Sequence, residues 1–257
     1  MLKKAPLVGV FLFLVANGSA AVELCSIDVI PPAQTVDKIV DGDTLRLRDG
    51  RRVRLIGINA PEMGGRGRRT EAYAVQATRR LTGLVKANNN KVNLRVGDPS
   101  QDRYGRVLAH AYDRAGVSLE AQLVAEGLAY HTVVAPNTAL AGCLTQAELQ
   151  ARHQRVGLWK NATFTHAKDI NSGGFTLLRG RVARVQRNRG GVWLELEHSV
   201  TVNIPLSSLQ YFKGQRFAEW QGRTLKTRGW VTERRGQRNK YAKWRLTASH
   251  PSMLEWQ

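Results

Sequence analysis

Only one apolar run along the chain is long, and it lies at the extreme N-terminus. Leu7 to Ala16 is almost wholly hydrophobic, with Lys3 and Lys4 before it and Gly18, Ser19, Ala20 and Ala21 after it. A positive start, a short apolar centre and a small-residue end make the layout of a secretory leader, cleaved after Ala20 or Ala21. A membrane-spanning helix needs about 20 apolar residues, which this run does not reach. The pattern predicts export to the periplasm or the medium, with no stable membrane anchor after cleavage.

From residue 35 onward the pattern is of short elements. Val36, Ile39, Leu45 and Leu47 are apolar around a polar Asp41-Gly42-Asp43-Thr44 break. Asp49-Gly50 is a hairpin signal, and 53–58 returns as a mostly apolar strand. Residues 70–85 read as a helix, with Thr70 as its cap, Glu71 complementing the dipole, and Ala74, Ala77, Leu81, Leu84 and Val85 at helical spacing. Strands follow at 92–96 and 107–112, then a short helix over 118–126 closed by Gly127. Thr145-Gln146-Ala147-Glu148 is a capping-box sequence that predicts a last helix ending near Gly157. Mixed strands and helices in this order predict a small α+β domain around a strongly curved sheet.

A polar, Gly-rich stretch at 171–174 reads as a linker. Beyond it the pattern is strand-rich, with candidates at 176–186, 192–197, 200–204, 224–232 and 241–246 and a helical turn over 206–212. Five strands with a helical turn after the third is the order of an OB barrel. The expected organisation is a leader at 1–21, a first domain at 22–170, the linker, and a smaller β-barrel domain at 175–257.

Composition narrows the partner. The 257 residues carry 39 Lys and Arg against 20 Asp and Glu, a formal net charge of +19, and 42% are hydrophobic. That apolar content excludes wholesale disorder, and the charge points to an acidic partner, nucleic acid first. The excess is uneven, with a net +6 over 22–174 and +11 over 175–257. In the second part Arg181, Arg184, Arg187 and Arg189 precede Trp193, while Trp230, Arg234, Arg235, Arg238, Lys240, Lys243 and Trp244 cluster later. Basic residues interleaved with aromatics suit a nucleic-acid strand held by backbone attraction and base stacking. The competing reading makes the tryptophans core and the arginines a solvated face, and for Trp193 the alternation leaves the choice open. Cys25 and Cys143 are the two cysteines; an oxidising compartment favours their pairing, with two buried thiols as the alternative.

Three segments carry candidate chemistry: Asp41-Gly42-Asp43-Thr44, Arg54-Leu55-Ile56-Gly57-Ile58-Asn59-Ala60-Pro61-Glu62, and Asp102-Arg103-Tyr104-Gly105-Arg106. Phosphodiester hydrolysis gives the set a reason. Asp43 and Asn59 offer oxygen ligands to a hard cation, Glu62 a carboxylate to orient or deprotonate water, and Arg54 and Arg106 guanidinium groups matched to phosphate oxygens. The basic loop Gly64-Gly65-Arg66-Gly67-Arg68-Arg69 has no Walker or dinucleotide pattern and reads as a flexible loop beside the site. The six His residues show no zinc-ligand spacing, and His110 and His131 read as structural.

In this order and separation the three segments resemble the staphylococcal nuclease (thermonuclease) family. The similarity continues through 120–129 and ends near Gly157-Leu158-Trp159, covering about half the chain. The resemblance implies an OB barrel with three helices and calcium-dependent cleavage of DNA and RNA to 3′-phosphate products. Position by position it implies Arg54, Glu62 and Arg106 as catalytic, and Asp43 and the Ala60 backbone carbonyl as Ca2+ ligands. Asp41 becomes a supporting carboxylate, and Arg103 and Tyr104 contacts to a terminal phosphate. The family's second metal-ligating Asp is Asn59 here, which implies a weaker calcium site. A nucleic-acid-binding protein with weak or no turnover is the alternative. For the base-stacking aromatic expected after the second helix, Tyr130 is a candidate while Val133 holds the nominal position. The fold expected is a nuclease-type OB barrel with three helices followed by a smaller OB-like barrel, with a monomer favoured.

Overall fold

A computed structural model of the chain describes residues 25–65, 67–197, 199–234 and 242–257. The leader, Arg66, Arg235, Arg238 and Lys240 lie outside the described residues. Strands β1 (Ala33–Ile39), β2 (Thr44–Leu47), β3 (Arg52–Leu55), β5 (Lys91–Gln101) and β6 (Val107–Tyr112) close into a barrel in the order β1-β2-β3-β6-β5. Alternation fills it: Leu45, Leu47, Val53, Leu55, Val107 and Ala109 are buried, while the intervening Arg46 is exposed and Arg54 half-buried. The Asp49-Gly50 hairpin joins β2 and β3 antiparallel, and β3 pairs with β6 in parallel.

Two glycines shape the ground under the site. The predicted strand at 53–58 is interrupted by Gly57, whose φ of 87° and a Cβ position only 2.7 Å from Leu144 admit no side chain. The chain restarts as β4 (Ile58–Asn59), paired with β7 (Tyr130–His131). At Gly42 a Cβ would lie 2.6 Å from that of Ala77 and 2.7 Å from that of Ala60. Only glycine lets the Asp41–Asp43 break sit against both.

Three helices flank the barrel: α1 (Ala74–Ala87), α2 (Leu119–Ala125) and α3 (Ala141–Gln154). The stripe read on α1 is the buried one, Ala74, Ala77, Leu81, Leu84 and Val85. Its start differs from the expected Thr70. Tyr73 is left-handed at φ 67°, and Thr70 Oγ1 instead accepts from the Gly64 amide at 3.1 Å. Ser118 caps α2 by accepting from the Ala121 amide. The capping box at Thr145 is not one. Helix α3 begins a turn earlier, Thr145 Oγ1 donates back to the Ala141 carbonyl, and Glu148 is buried at 2% exposure. A Cys25–Cys143 disulfide ties the first described residue to α3.

The second barrel uses β9 (Gly174–Asn188), β10 (Gly191–Leu196), β11 (Val200–Pro205), β12 (Thr224–Glu233) and β13 (Trp244–Thr247). Pairing of β12 with both β13 and β9 closes it, with β8 (Thr165–His166) and β14 (Leu254–Trp256) added along β9 and β12. The expected helical turn is a 3-10 segment, Leu206–Phe212. Trp220 and Trp244 are core at 4% and 6% exposure, whereas Trp230 is 44% exposed. Trp193 is half-buried, its indole N–H donating to Asn188.

The two barrels share packing. Val133 and Ala141 join the core of the second barrel, and Arg228 of β12 forms an ion pair with Glu148 of α3 at 2.7 Å. Among the described residues no helix is long and apolar enough to cross a membrane.

Candidate active site

Register explains why two distant arginines meet. Arg54 of β3 is the partner of Leu108 of β6. Arg106 lies two residues before Leu108 and so faces the same way. Both arginines line one cavity of about 310 Å³, with Asp102 beside Arg106 and an apolar wall that includes Ile56, Leu108 and Val134.

Arg54 is held from behind. Its Nη2 lies 3.1 Å from Asp43 Oδ2 and donates to Asn59 Oδ1 at 3.4 Å, while Nη1 donates to the carbonyls of Leu55 and of Ile58, the latter at 3.0 Å. Asp43 is buried and also accepts from the Ala60 amide at 2.8 Å and the Thr44 hydroxyl at 3.1 Å. Asp41 Oδ1 accepts from the Asp43 amide. Burial pushes the Asp43 carboxyl up to about 6, against the Arg54 charge and with help from Asp41. Glu62 is exposed on the loop after β4, yet partial burial, then Asp41 and Glu71, push its carboxyl above the ordinary value while Arg54 pulls it down. Arg54, Asp41, Asp43, Asn59, Ala60 and Glu62 therefore form one neighbourhood.

Arg106 is fixed by a tight turn. Asp102 Oδ2 accepts from Arg106 Nε at 2.7 Å, and its Oδ1 accepts from the amides of Tyr104 and Arg106. Gly105 supplies the left-handed φ of 73° this turn requires. Tyr104 is 66% exposed, with the Arg103 and Arg106 guanidinium groups 4.9 and 5.6 Å from its ring centre.

Other candidates are spent on structure. His110 is buried against Glu120, which also takes the Ala111 amide and the Ser118 hydroxyl. Gly65 and Arg68 exchange backbone hydrogen bonds, so their amides do not face an anion. Tyr130 packs edge-on against Trp159 and stacked on Phe175, and Val133 is buried, so neither offers a face to the cavity. Sequence reasoning missed Glu71, whose carboxylate accepts the Glu62 amide at 2.9 Å while its own amide donates to the Glu62 carbonyl. Trp230, read in the sequence as one of the aromatics among the basic residues of the second part, lines the arginine cavity from the second barrel. An acid read as a helix-dipole partner carried no signal of that contact.

Among the described residues no three His, Cys, Asp or Glu side chains converge as a metal cluster. The donors beside Arg54 are oxygens only: the Asp43 carboxylate, whose proton affinity Asp41 helps to raise, one amide and nearby carbonyls. Crowded oxygen donors of net negative charge suit a hard cation.

Residues 52–161 match the staphylococcal nuclease homologue family. An uncharacterized endonuclease of Escherichia coli is 30% identical over 130 residues, spanning 49% of this chain and 76% of that protein. Its counterpart in Escherichia coli O157:H7 has the same identity and coverage. An uncharacterized protein of Methanocaldococcus jannaschii is 29% identical over 146 residues, 48% of this chain and 70% of that one. The chain belongs to the staphylococcal nuclease family. As a member it is a nuclease, a hydrolase of phosphodiester bonds acting on nucleic acid. The family match begins at Arg52 and ends at 161, so Asp41, Asp43 and the whole second barrel fall outside it.

Proposed function

We propose that this nuclease is an exported, calcium-dependent endonuclease that cuts DNA or RNA at the Arg54–Arg106 cavity and leaves 3′-phosphates. The convergence of two arginines from paired strands on one cavity, with carboxylates packed behind one of them, is the observation that supports the reading. Arg54 and Arg106 grip the non-bridging oxygens of the scissile phosphate, and their charge stabilises the additional negative charge of the transition state. Glu62, with its raised proton affinity, orients the attacking water and takes its proton. Arg103 and Tyr104 hold the terminal phosphate. Asp43, Asn59, the Ala60 carbonyl and Asp41 in support would hold a calcium ion, which supplies charge neutralisation at the phosphate when bound. The Cys25–Cys143 bridge is consistent with an oxidising compartment. In this reading residues 22–170 cut, and 175–257 hold the strand through their net charge of +11.

Digestion of plasmid and single-stranded DNA by the wild type, Glu62→Gln and Arg106→Ala, with and without calcium, tests the assignment. Loss of product in both variants and on chelation is expected. Equal product from all three proteins overturns the site, and binding without scission by the wild type returns the chain to a binding role.

A further inference from the structure

Trp230 is where the two barrels meet the arginine cavity. It lies on β12 of the second barrel, outside the residues matched by the nuclease family, yet it lines the same cavity as Arg54 and Arg106. Its ring is 44% exposed, and Phe175 supports it edge-on at 5.3 Å. Phe175 in turn stacks on Tyr130, and Tyr130 meets Trp159 edge-on, so a chain of ring contacts runs from the nuclease barrel to Trp230 and ends there. Of the aromatic rings described, Tyr104 and Trp230 are the large exposed ones, and both flank the arginine site. An indole face left to water at a site that binds phosphodiesters has an obvious complement in a nucleobase.

A second cavity, of about 340 Å³, continues from this point between the barrels. Thr132, Val134, Ala135 and Trp230 line both cavities. The second is lined further by Ser207, Thr232, Thr247 and the exposed Arg245. Hydroxyls and a guanidinium group suit a sugar-phosphate backbone, whereas the first cavity offers an apolar wall beside the two arginines.

We propose that Trp230 is a base-stacking residue of the nuclease site, and that the strand runs from the arginine cavity across its ring into the groove lined by Arg245. The proposal rests on the cavity being where the phosphodiester is cut, and it adds the substrate form. A base reaches the indole face only when it is unpaired, so single strands and unpaired loops are the preferred substrate. The second barrel is then part of the substrate site, with Trp230 positioning the nucleotide next to the cut.

The test uses the full-length chain and a fluorescein-labelled single-stranded oligonucleotide, alone or with one abasic position scanned along it. Binding is read by anisotropy in chelator, where no turnover occurs, and cleavage is read separately with calcium. Trp230→Ala should weaken single-strand binding by about 5- to 150-fold, the range set by loss of one base–aromatic stack. Trp230→Phe should recover much of it, and in Trp230→Ala KM should rise with kcat nearly unchanged. At one abasic position the difference between wild type and Trp230→Ala should vanish, a signature that a merely structural role for the ring would not produce. Arg245→Ala should weaken binding equally at every abasic position and lower its salt dependence. Unchanged binding in Trp230→Ala, or a loss equal for duplex and single strand with no abasic signature, overturns the proposal. If the wild type binds with this signature but does not cut, the stacking assignment stands and the assignment of the cut site falls.

Discussion

Arg228 of the second barrel and Glu148 of α3 form an ion pair that is almost fully removed from water, with 2.7 Å between Nη2 and Oε1 and side chains 6% and 3% exposed. The same pair holds both backbone groups of one residue: Arg228 Nε donates to the His131 carbonyl at 2.7 Å, and Glu148 accepts the His131 amide at 2.8 Å. His131 belongs to β7, which pairs with β4 and hence with Asn59 of the site. The contact that docks the barrels thus lies one strand from the candidate metal ligands.

Removing one partner leaves the other charged and buried. Arg228→Ala is expected to cost about 3–5 kcal/mol and to lower the melting temperature by roughly 10 °C. The double variant Arg228→Met, Glu148→Leu should recover only part, because the His131 amide and carbonyl then lack partners. Thermal denaturation followed by circular dichroism checks both; wild-type melting in Arg228→Ala refutes the expectation.

His131 makes acid stability measurable. Burial first, then the Arg228 charge, push it down to about 3. The unfolded chain takes up this proton near the ordinary value of about 6.5, whereas the folded chain takes it up only near 3, so stability falls as pH drops through that window. Glu148, pushed upward by burial, acts in the opposite sense. Urea unfolding of the wild type and His131→Leu between about pH 6.5 and 5 should show a shallower loss in the variant, since Glu148 is common to both. Parallel slopes refute it.

Asn59 predicts a metal dependence. Its Oδ1 sits 3.4 Å from Arg54 and supplies a carbonyl where a carboxylate would add charge. Asn59→Asp should lower the calcium concentration for half-maximal nuclease activity several-fold, since ligand charge sets affinity. Sub-micromolar half-saturation in the wild type, or activity indifferent to strong chelation, contradicts a weak calcium site.

The Cys25–Cys143 bridge closes a segment with a sequence separation of 118 residues. Reduction, or Cys143→Ser, should cost about 2–5 kcal/mol of stability while leaving the arginine cavity and its turnover at low temperature intact. Equal urea midpoints with and without reductant would show that the bridge contributes nothing.

Much of the fold was legible because its signals are local. The strand signal over 107–112, the Asp49-Gly50 hairpin and the stripe on α1 depend only on neighbours in the chain, and the observed elements follow them. The helix starts were less legible. Thr70 and Thr145 both read as caps, yet a hydroxyl that can cap a helix can equally bond a loop amide, as Thr70 does, or its own helix, as Thr145 does.

By itself the sequence determined the nuclease segments around Asp43, Arg54, Glu62 and Arg106, the OB-like strand order of the second part, and the basic excess concentrated there. Tertiary structure alone decided which of these meet. Parallel register of β3 on β6 puts Arg106 on the face of Arg54, and docking of the barrels through Arg228 and Glu148 accompanies the placing of Trp230 in the same cavity. Burial sorted the tryptophans as well, taking Trp220 and Trp244 into the core and leaving Trp230 at the surface. Periodicity states which way a side chain points from its own strand, but its neighbours across the fold depend on pairings between residues far apart in the chain, which no local pattern encodes.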